Sequence, residues 1–131
     1  MTTWTKDELN RVGTAEELEI ASLRQDLTLR KPRTIWVVRV EDNLYVRSVR
    51  GRGSDWFRGV QTRHEGHIQA GGVEKDVTFV EVDADDDIND RIDAAYRAKY
   101  RRYAENIINS TLTSEARSAT VRLIPRSPSL A

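Results

Sequence analysis

The residues best suited to chemistry fall in one run, Arg47-Ser48-Val49-Arg50-Gly51-Arg52-Gly53-Ser54-Asp55-Trp56-Phe57-Arg58. Its pattern predicts a strand end, a glycine-broken turn and a helix that starts at Ser54. Such a junction exposes backbone N–H groups, and a helix N-terminus attracts anions. Arg47, Arg50 and Arg52 add planar donor forks that can grip phosphate or carboxylate from two sides. Ser48 and Ser54 offer hydroxyls, and Trp56 offers a flat wall for an aromatic ring. The spacing is neither a Walker loop nor a dinucleotide fingerprint.

Three other groupings carry less. His64-Glu65-Gly66-His67 holds both histidines, but the spacing is one residue short of the helical zinc motif. In an extended segment the two rings point to opposite faces, so no shared metal is expected. His64 alone can act as acid or base, because imidazole titrates near neutrality. Asp83, Asp85, Asp86 and Asp87 lack the spaced ligands and glycine of a calcium loop, and suit a helix start. Tyr96, Tyr100 and Tyr103 recur at helical spacing and belong mainly to a buried stripe. His64, Tyr96 and Tyr100 are the candidate catalytic side chains if a pocket opens beside that stripe.

These residues need a scaffold. Thr5-Lys6-Asp7-Glu8 is a capping-box pattern that predicts a short helix over 5–12, stopping at Gly13. Leu18, Ile20 and Ser22 alternate with Glu19 and Ala21, which reads as a strand, with a helical turn competing. Residues 25–28 look like a turn. Runs 34–40 and 44–49, joined by Glu41-Asp42-Asn43, are rich in β-branched and aromatic residues and predict a hairpin. A helix over 54–62 follows. Residues 66–70 and 73–82 make a second hairpin around Gly71-Gly72, which permit positive φ. Ile88, Ile92, Tyr96, Tyr100, Tyr103 and Ile107 predict one long amphipathic helix. Ser114 is expected to cap a last helical turn, Thr120–Ile124 to form a final strand, and residues 126–131 a loose tail. The expected fold is α+β, a split and mainly antiparallel β-barrel over residues 1–125 with a long C-terminal amphipathic helix.

Composition narrows the classes of function. The 131 residues suit one domain, and 38% hydrophobic residues provide enough apolar area for a core. The absence of cysteine excludes disulfides, thiol nucleophiles and iron–sulfur clusters. No apolar run reaches the roughly 18 residues of a membrane span, and the first residues do not form a signal peptide, so a cytoplasmic protein is expected. The net charge of zero conceals blocks: residues 24–63 carry +6, residues 64–95 carry −8, and the C-terminal 96–131 carry +5. The basic block can favour an anionic guest. An acidic block of comparable size and the lack of any DNA-binding motif argue against nucleic acid.

Several blocks resemble a small bacterial family, domain of unknown function 2255. They are Glu17-Leu-Glu-Ile-Ala-Ser22, Thr34-Ile-Trp-Val-Val-Arg-Val40, Leu44-Tyr-Val-Arg-Ser48, Ala70-Gly-Gly-Val73, Asp76-Val-Thr-Phe79 and Ala94-Ala-Tyr-Arg-Ala-Lys-Tyr100. More distantly, Arg30-Lys31-Pro32-Arg33-Thr34 and the order Ser48, Gly53, Trp56-Phe57 are similar to split-barrel FMN-binding proteins and deazaflavin-dependent nitroreductases. The chain departs from the latter at Leu27, where a turn glycine is expected, and at Arg58-Gly59, where Asn-Leu is usual. The resemblance implies a homodimer and an oxidoreductase module holding FMN or a deazaflavin. Arg47, Arg50 and Arg52 would hold phosphate, Ser48 and Ser54 would add hydrogen bonds, and Trp56 would flank the ring. The alternative is a cofactor-free pocket that binds or rearranges a small organic acid or aromatic compound, using His64, Tyr96, Tyr100 and one arginine of the basic block.

Overall fold

The computed structural model describes residues 3–126; most of the expected tail, residues 127–131, lies outside the described residues. Helix α1 spans Lys6–Thr14 and is followed by β1 (Leu18–Ser22), β2 (Arg33–Ile35), β3 (Val38–Val40) and β4 (Asn43–Arg47). A 3-10 turn over Gly51–Gly53 leads into α2 (Asp55–Thr62), then β5 (Glu65–Ala70) and β6 (Val73–Val82). The chain ends in α3 (Ile88–Lys99), α4 (Glu105–Asn109), α5 (Ser114–Ser118) and β7 (Thr120–Pro125). The expected capping box is present: Thr5 Oγ1 accepts from the Glu8 amide while the Glu8 carboxylate accepts from the Thr5 amide.

All seven strands form one antiparallel sheet in the order β2-β1-β5-β6-β7-β4-β3. Its two edge strands, β2 and β3, are consecutive in sequence and separated only by Trp36 and Val37. That adjacency curls the sheet into a split barrel. The single strand expected over 34–40 is therefore two strands, because its halves pair with opposite edges. At the corner the Val37 backbone leaves both ladders and takes its partners from side chains. Its N–H donates to the Tyr100 hydroxyl at 3.3 Å, and its carbonyl accepts from Lys99 Nζ at 2.6 Å. The hairpin turn is also shorter than expected. Asn43 already pairs with Val40, and Glu41 takes the positive φ of 54° that the tight turn needs.

Strand alternation builds two cores. Leu44 and Val46 of β4 point into the barrel with Ile20, Ile68, Phe79 and Leu123, all of them buried. Tyr45 and Arg47 of β4 face outward. There Val38, Val40 and Tyr45 pack under α3 through Ile92, Tyr96 and Tyr100. Gly66 leaves no room for a side chain between β1 and Phe79: a Cβ there would lie 2.3 Å from the Ala21 carbonyl oxygen and 2.7 Å from the Phe79 ring.

The long C-terminal helix is a correction. It ends at Lys99, and α4 and α5 follow as separate short helices. Tyr100 stacks on Trp36 with ring centroids 3.8 Å apart, and Tyr103 also meets that indole at 4.9 Å. Arg102 and Tyr103 both reach the Glu16 carboxylate. These contacts turn the chain back, so that Ile108 enters the outer core and the Thr111 carbonyl reaches Arg47. Thr113, not Ser114, caps the last helix, accepting from the Ala116 amide.

Candidate functional site

The predicted strand-to-helix junction is built. Gly51, at φ 76°, makes the bend after β4 that L side chains avoid, and its N–H returns to the Ser48 carbonyl at 3.0 Å. Ser54 is the N-cap of α2, accepting from the Phe57 amide at 3.4 Å, and its hydroxyl also meets that of Ser48 at 2.7 Å. Successive helical residues lie about 100° apart around the axis. Phe57 is fully buried, worth about 1.5–3 kcal/mol, and this turns Trp56 aside to a half-exposed position.

Beside this junction lies a cleft of about 930 Å³, within the usual range of small-molecule sites. One wall is the β2 edge and Trp36; the other is Ser48–Arg50 with Ser54 and Trp56. Tyr96 and Thr111 contribute from the helical layer. Arg50 and Arg33 bring positive charge. Arg50 has no ion pair among the described residues, and Arg33 has only a long one, 3.7 Å to Asp55.

Not every candidate residue faces this cleft with free groups. Arg47 borders it but is 3% exposed, and all five of its N–H donors are committed. Nη1 donates to Asp93 Oδ1 at 2.5 Å and to the Thr111 carbonyl at 2.9 Å. Nη2 donates to the Asn89 side chain and carbonyl, and Nε to Thr120 Oγ1 at 3.0 Å. Expected to hold a ligand's phosphate, it instead ties α3 and β7 to β4. Arg52 turns away from the cleft, donating to the Ser118 carbonyl at 2.7 Å and to Glu81 at 3.0 Å.

The structure does not gather the three candidate catalytic side chains into one site: Tyr96 and Tyr100 are neighbours, ring centroids 6.2 Å apart, and His64 is not with them. Tyr96 lines the cleft, with the Arg47 guanidinium 5.6 Å from its ring centroid, and burial pushes its phenol well above the ordinary value of 10.0. Tyr100 lies behind Trp36, its hydroxyl spent on the Glu16 carbonyl at 2.8 Å and on Val37; burial raises it as well. His64 is not among the residues that line the cleft and lies 3.4 Å from Glu81. His67 sits between Asp76 and Glu74, at 3.0 and 3.1 Å.

Sequence reasoning passed over Arg33 and Trp36 as site residues. Trp36 sits in the run assigned to one continuous strand and Arg33 immediately before it, and only the edge-to-edge split turns them to the cleft. It also passed over a second, smaller hollow of about 490 Å³ that shares Arg33, Asp55 and Trp56 with the cleft and is lined as well by Arg24, Arg30, Lys31 and Arg58.

No curated protein matches the sequence. Among solved structures, the chain is similar to the heme storage protein HutZ from Vibrio cholerae, with a TM-score of 0.65 at 12% identity, covering 94% of this chain and 91% of that one. It is similar to an FAD-binding protein from Mesorhizobium loti, with a TM-score of 0.54 at 16% identity, covering 95% and 92%. It is also similar to an F420 reductase, with a TM-score of 0.53 at 14% identity, covering 96% and 97%. At these identities the likeness establishes the fold, the split barrel expected from the sequence. The model of the family described as "Uncharacterized protein conserved in bacteria (DUF2255)" matches residues 8–123, and the chain belongs to that family.

Proposed function

We propose that this split barrel binds a cofactor of the flavin or deazaflavin class in the cleft between Trp36 and Trp56, as an oxidoreductase-type module. The observation that carries the proposal is the pairing of aromatic walls with an unpaired cation, Arg50, in one cleft of ligand size. Such a cofactor combines a planar ring with a phosphate, and the residues present fit both parts. When bound, the ring system supplies the hydride chemistry. The protein's share is placement. Arg50 and Arg33 supply charge for the phosphate, Ser48 and Ser54 supply hydroxyls, and Trp56 and Trp36 confine the ring. Arg47 and Tyr96 keep the floor of the cleft rigid and buried. The similar proteins named for FAD, F420 and heme all take planar ring systems, which supports this assignment of class.

The protein is further proposed to be a homodimer. Val49 and Ile107, 46% and 45% exposed, stand at the cleft's rim, where a second protomer would cover apolar area and enclose the ligand.

Titration of the purified protein with FMN, FAD and a deazaflavin, followed by cofactor fluorescence, tests the assignment. A saturable change is expected for at least one of them. Arg50→Ala should weaken it roughly 10- to 100-fold, the equivalent of one charge-assisted hydrogen bond. The absence of any saturable change at high micromolar concentration defeats the proposal.

A further inference from the structure

We infer that Tyr96 sets which ring the cleft accepts: its O–H proton, which has no acceptor among the described residues, is donated to a carbonyl oxygen or aromatic nitrogen on the edge of the bound ring. This role rests on the flavin or deazaflavin reading of the cleft. It adds a requirement that an anionic ring without such an acceptor does not meet.

Helix α3 carries Tyr96 over the outward face of β3 and β4, where Val38, Val40 and Tyr45 form the outer core. Tyr100 follows one helical turn later, and the two rings lie 6.2 Å apart at an interplanar angle of 27°. Tyr100 is itself stacked on Trp36, and the Arg47 guanidinium lies 5.6 Å from the Tyr96 centroid. A ring packed on these sides is fixed, and its hydroxyl with it.

The helical layer brings three hydroxyls to the cleft, and two of them are spent. Ser110 Oγ donates to the Ile107 carbonyl at 2.5 Å, and Thr111 Oγ1 to the Ile108 carbonyl at 2.6 Å. The third belongs to Tyr96, which is 1% exposed and donates to nothing among the described residues. Nor is that hydroxyl sealed. Among the described residues, the side-chain polar atoms buried without a partner are the Nε atoms of Arg30, Arg63 and Arg122. What stays accessible of Tyr96 therefore includes its hydroxyl, and the cleft is the space it borders. Burial pushes the phenol up, against the pull of the nearby Arg47 guanidinium and amide, so Tyr96 meets a guest with its proton in place.

Water can serve that proton while the cleft is open. A guest that fills the cleft shuts water out, and must offer an acceptor or strand a buried donor. The other groups of the cleft impose no such choice. Arg50 and Arg33 suit any phosphate, and Trp36 and Trp56 suit any planar face. Ser48 and Ser54 hold each other at 2.7 Å on the junction side. An aromatic phosphate would satisfy all of these whatever the edge of its ring. Tyr96, on the helical side, distinguishes the edges: flavins and deazaflavins carry ring carbonyls, and a hydrocarbon ring carries none.

Two probes test this on the full chain. One is FMN or its deazaflavin analogue, whichever the wild type binds more tightly, followed by its fluorescence. The other is naphthyl phosphate, an aromatic phosphate with no acceptor on its ring, followed by displacement of the first. Tyr96→Phe removes the hydroxyl and keeps the ring. It should weaken the flavin probe roughly 10- to 100-fold and leave naphthyl phosphate within about twofold or tighter. Tyr45→Phe, which takes a hydroxyl from the same outer core but not from the cleft lining, should leave both probes within about twofold. Without ligand, Tyr96→Phe should keep the wild-type urea midpoint or exceed it, because the lost O–H had no partner in the protein. A clearly lower midpoint means that the hydroxyl is spent on the fold, and overturns the role. Equal flavin affinity in wild type and Tyr96→Phe, or an equal loss for both probes, overturns the role and leaves the cofactor reading standing. If the wild type binds neither FMN nor its deazaflavin analogue, the cofactor reading falls and the role falls with it.

Discussion

The Arg47–Asp93 pair is expected to be asymmetric, and the asymmetry can be worked out from the contacts. Arg47 and Asp93 are 3% and 5% exposed, so solvent screens neither. Asp93 has a second cation: Arg117 donates to its Oδ2 from Nη2 at 2.5 Å and from Nε at 3.2 Å. Arg47 has no second anion; its remaining acceptors are neutral oxygens of Asn89, Thr111 and Thr120. Asp93→Leu therefore strands a buried guanidinium and should cost about 3–5 kcal/mol. Arg47→Met leaves Asp93 still paired and should cost less, about 1.5–3 kcal/mol. The double variant removes both charges at once, leaves Arg117 its partner Asp90 at 2.8 Å, and should recover at least half of the Asp93→Leu loss. Urea denaturation at pH 7 measures all three. With an m-value of about 1–3 kcal/mol/M, Asp93→Leu should lower the midpoint by roughly 2 M. A cost below about 1.5 kcal/mol, the reverse order of the two single variants, or simple additivity in the double would refute the reasoning. The same variants test the site. Folded Arg47→Met should keep any flavin affinity within about threefold, because the guanidinium has no donor to spare.

Lys99 gives a pH dependence of known sign. Burial lowers its ammonium from the ordinary 10.5 to about 8, so the unfolded chain binds the extra proton between these values, and the stability of the native state rises with pH across that window. Urea midpoints of the wild type minus those of Lys99→Met should climb from pH 8 to pH 10 and stay flat below pH 7; a flat difference throughout refutes the assignment. For the dimer, light scattering should give twice the 15.0 kDa chain mass, and Ile107→Asp, which puts a charge on the cleft rim, should shift the protein toward monomer. A monomeric wild type at tens of micromolar refutes that proposal.

Elements whose signals are local were legible. The capping box at Thr5-Glu8, the Ser54 cap, the Gly71-Gly72 turn and the alternation along 66–70 and 73–82 each follow from neighbouring residues alone, and each is present. The glycine-broken turn after Arg47 was legible for the same reason. What went astray involved partners far away in the chain. Residues 34–40 have the composition of one strand, and nothing within them says that Arg33–Ile35 pairs with β1 while Val38–Val40 pairs with β4. The apolar repeat from Ile88 to Ile107 is helical throughout, yet Trp36 and Glu16 capture Tyr100, Arg102 and Tyr103 and turn the chain.

The site divides in the same way. Residue type and spacing established by themselves that cations, hydroxyls and an indole would gather at a strand-to-helix junction, since those positions are held together by a dozen residues of local geometry. Which of those cations can meet a ligand was decided only in three dimensions. Asp93, forty-six residues from Arg47, claims one guanidinium, Glu81 claims Arg52, and Arg30 and Arg50 have no ion pair among the described residues. A charge's availability is a difference between attractions to protein and to guest, and the protein's share of that difference comes from residues that folding brings from elsewhere.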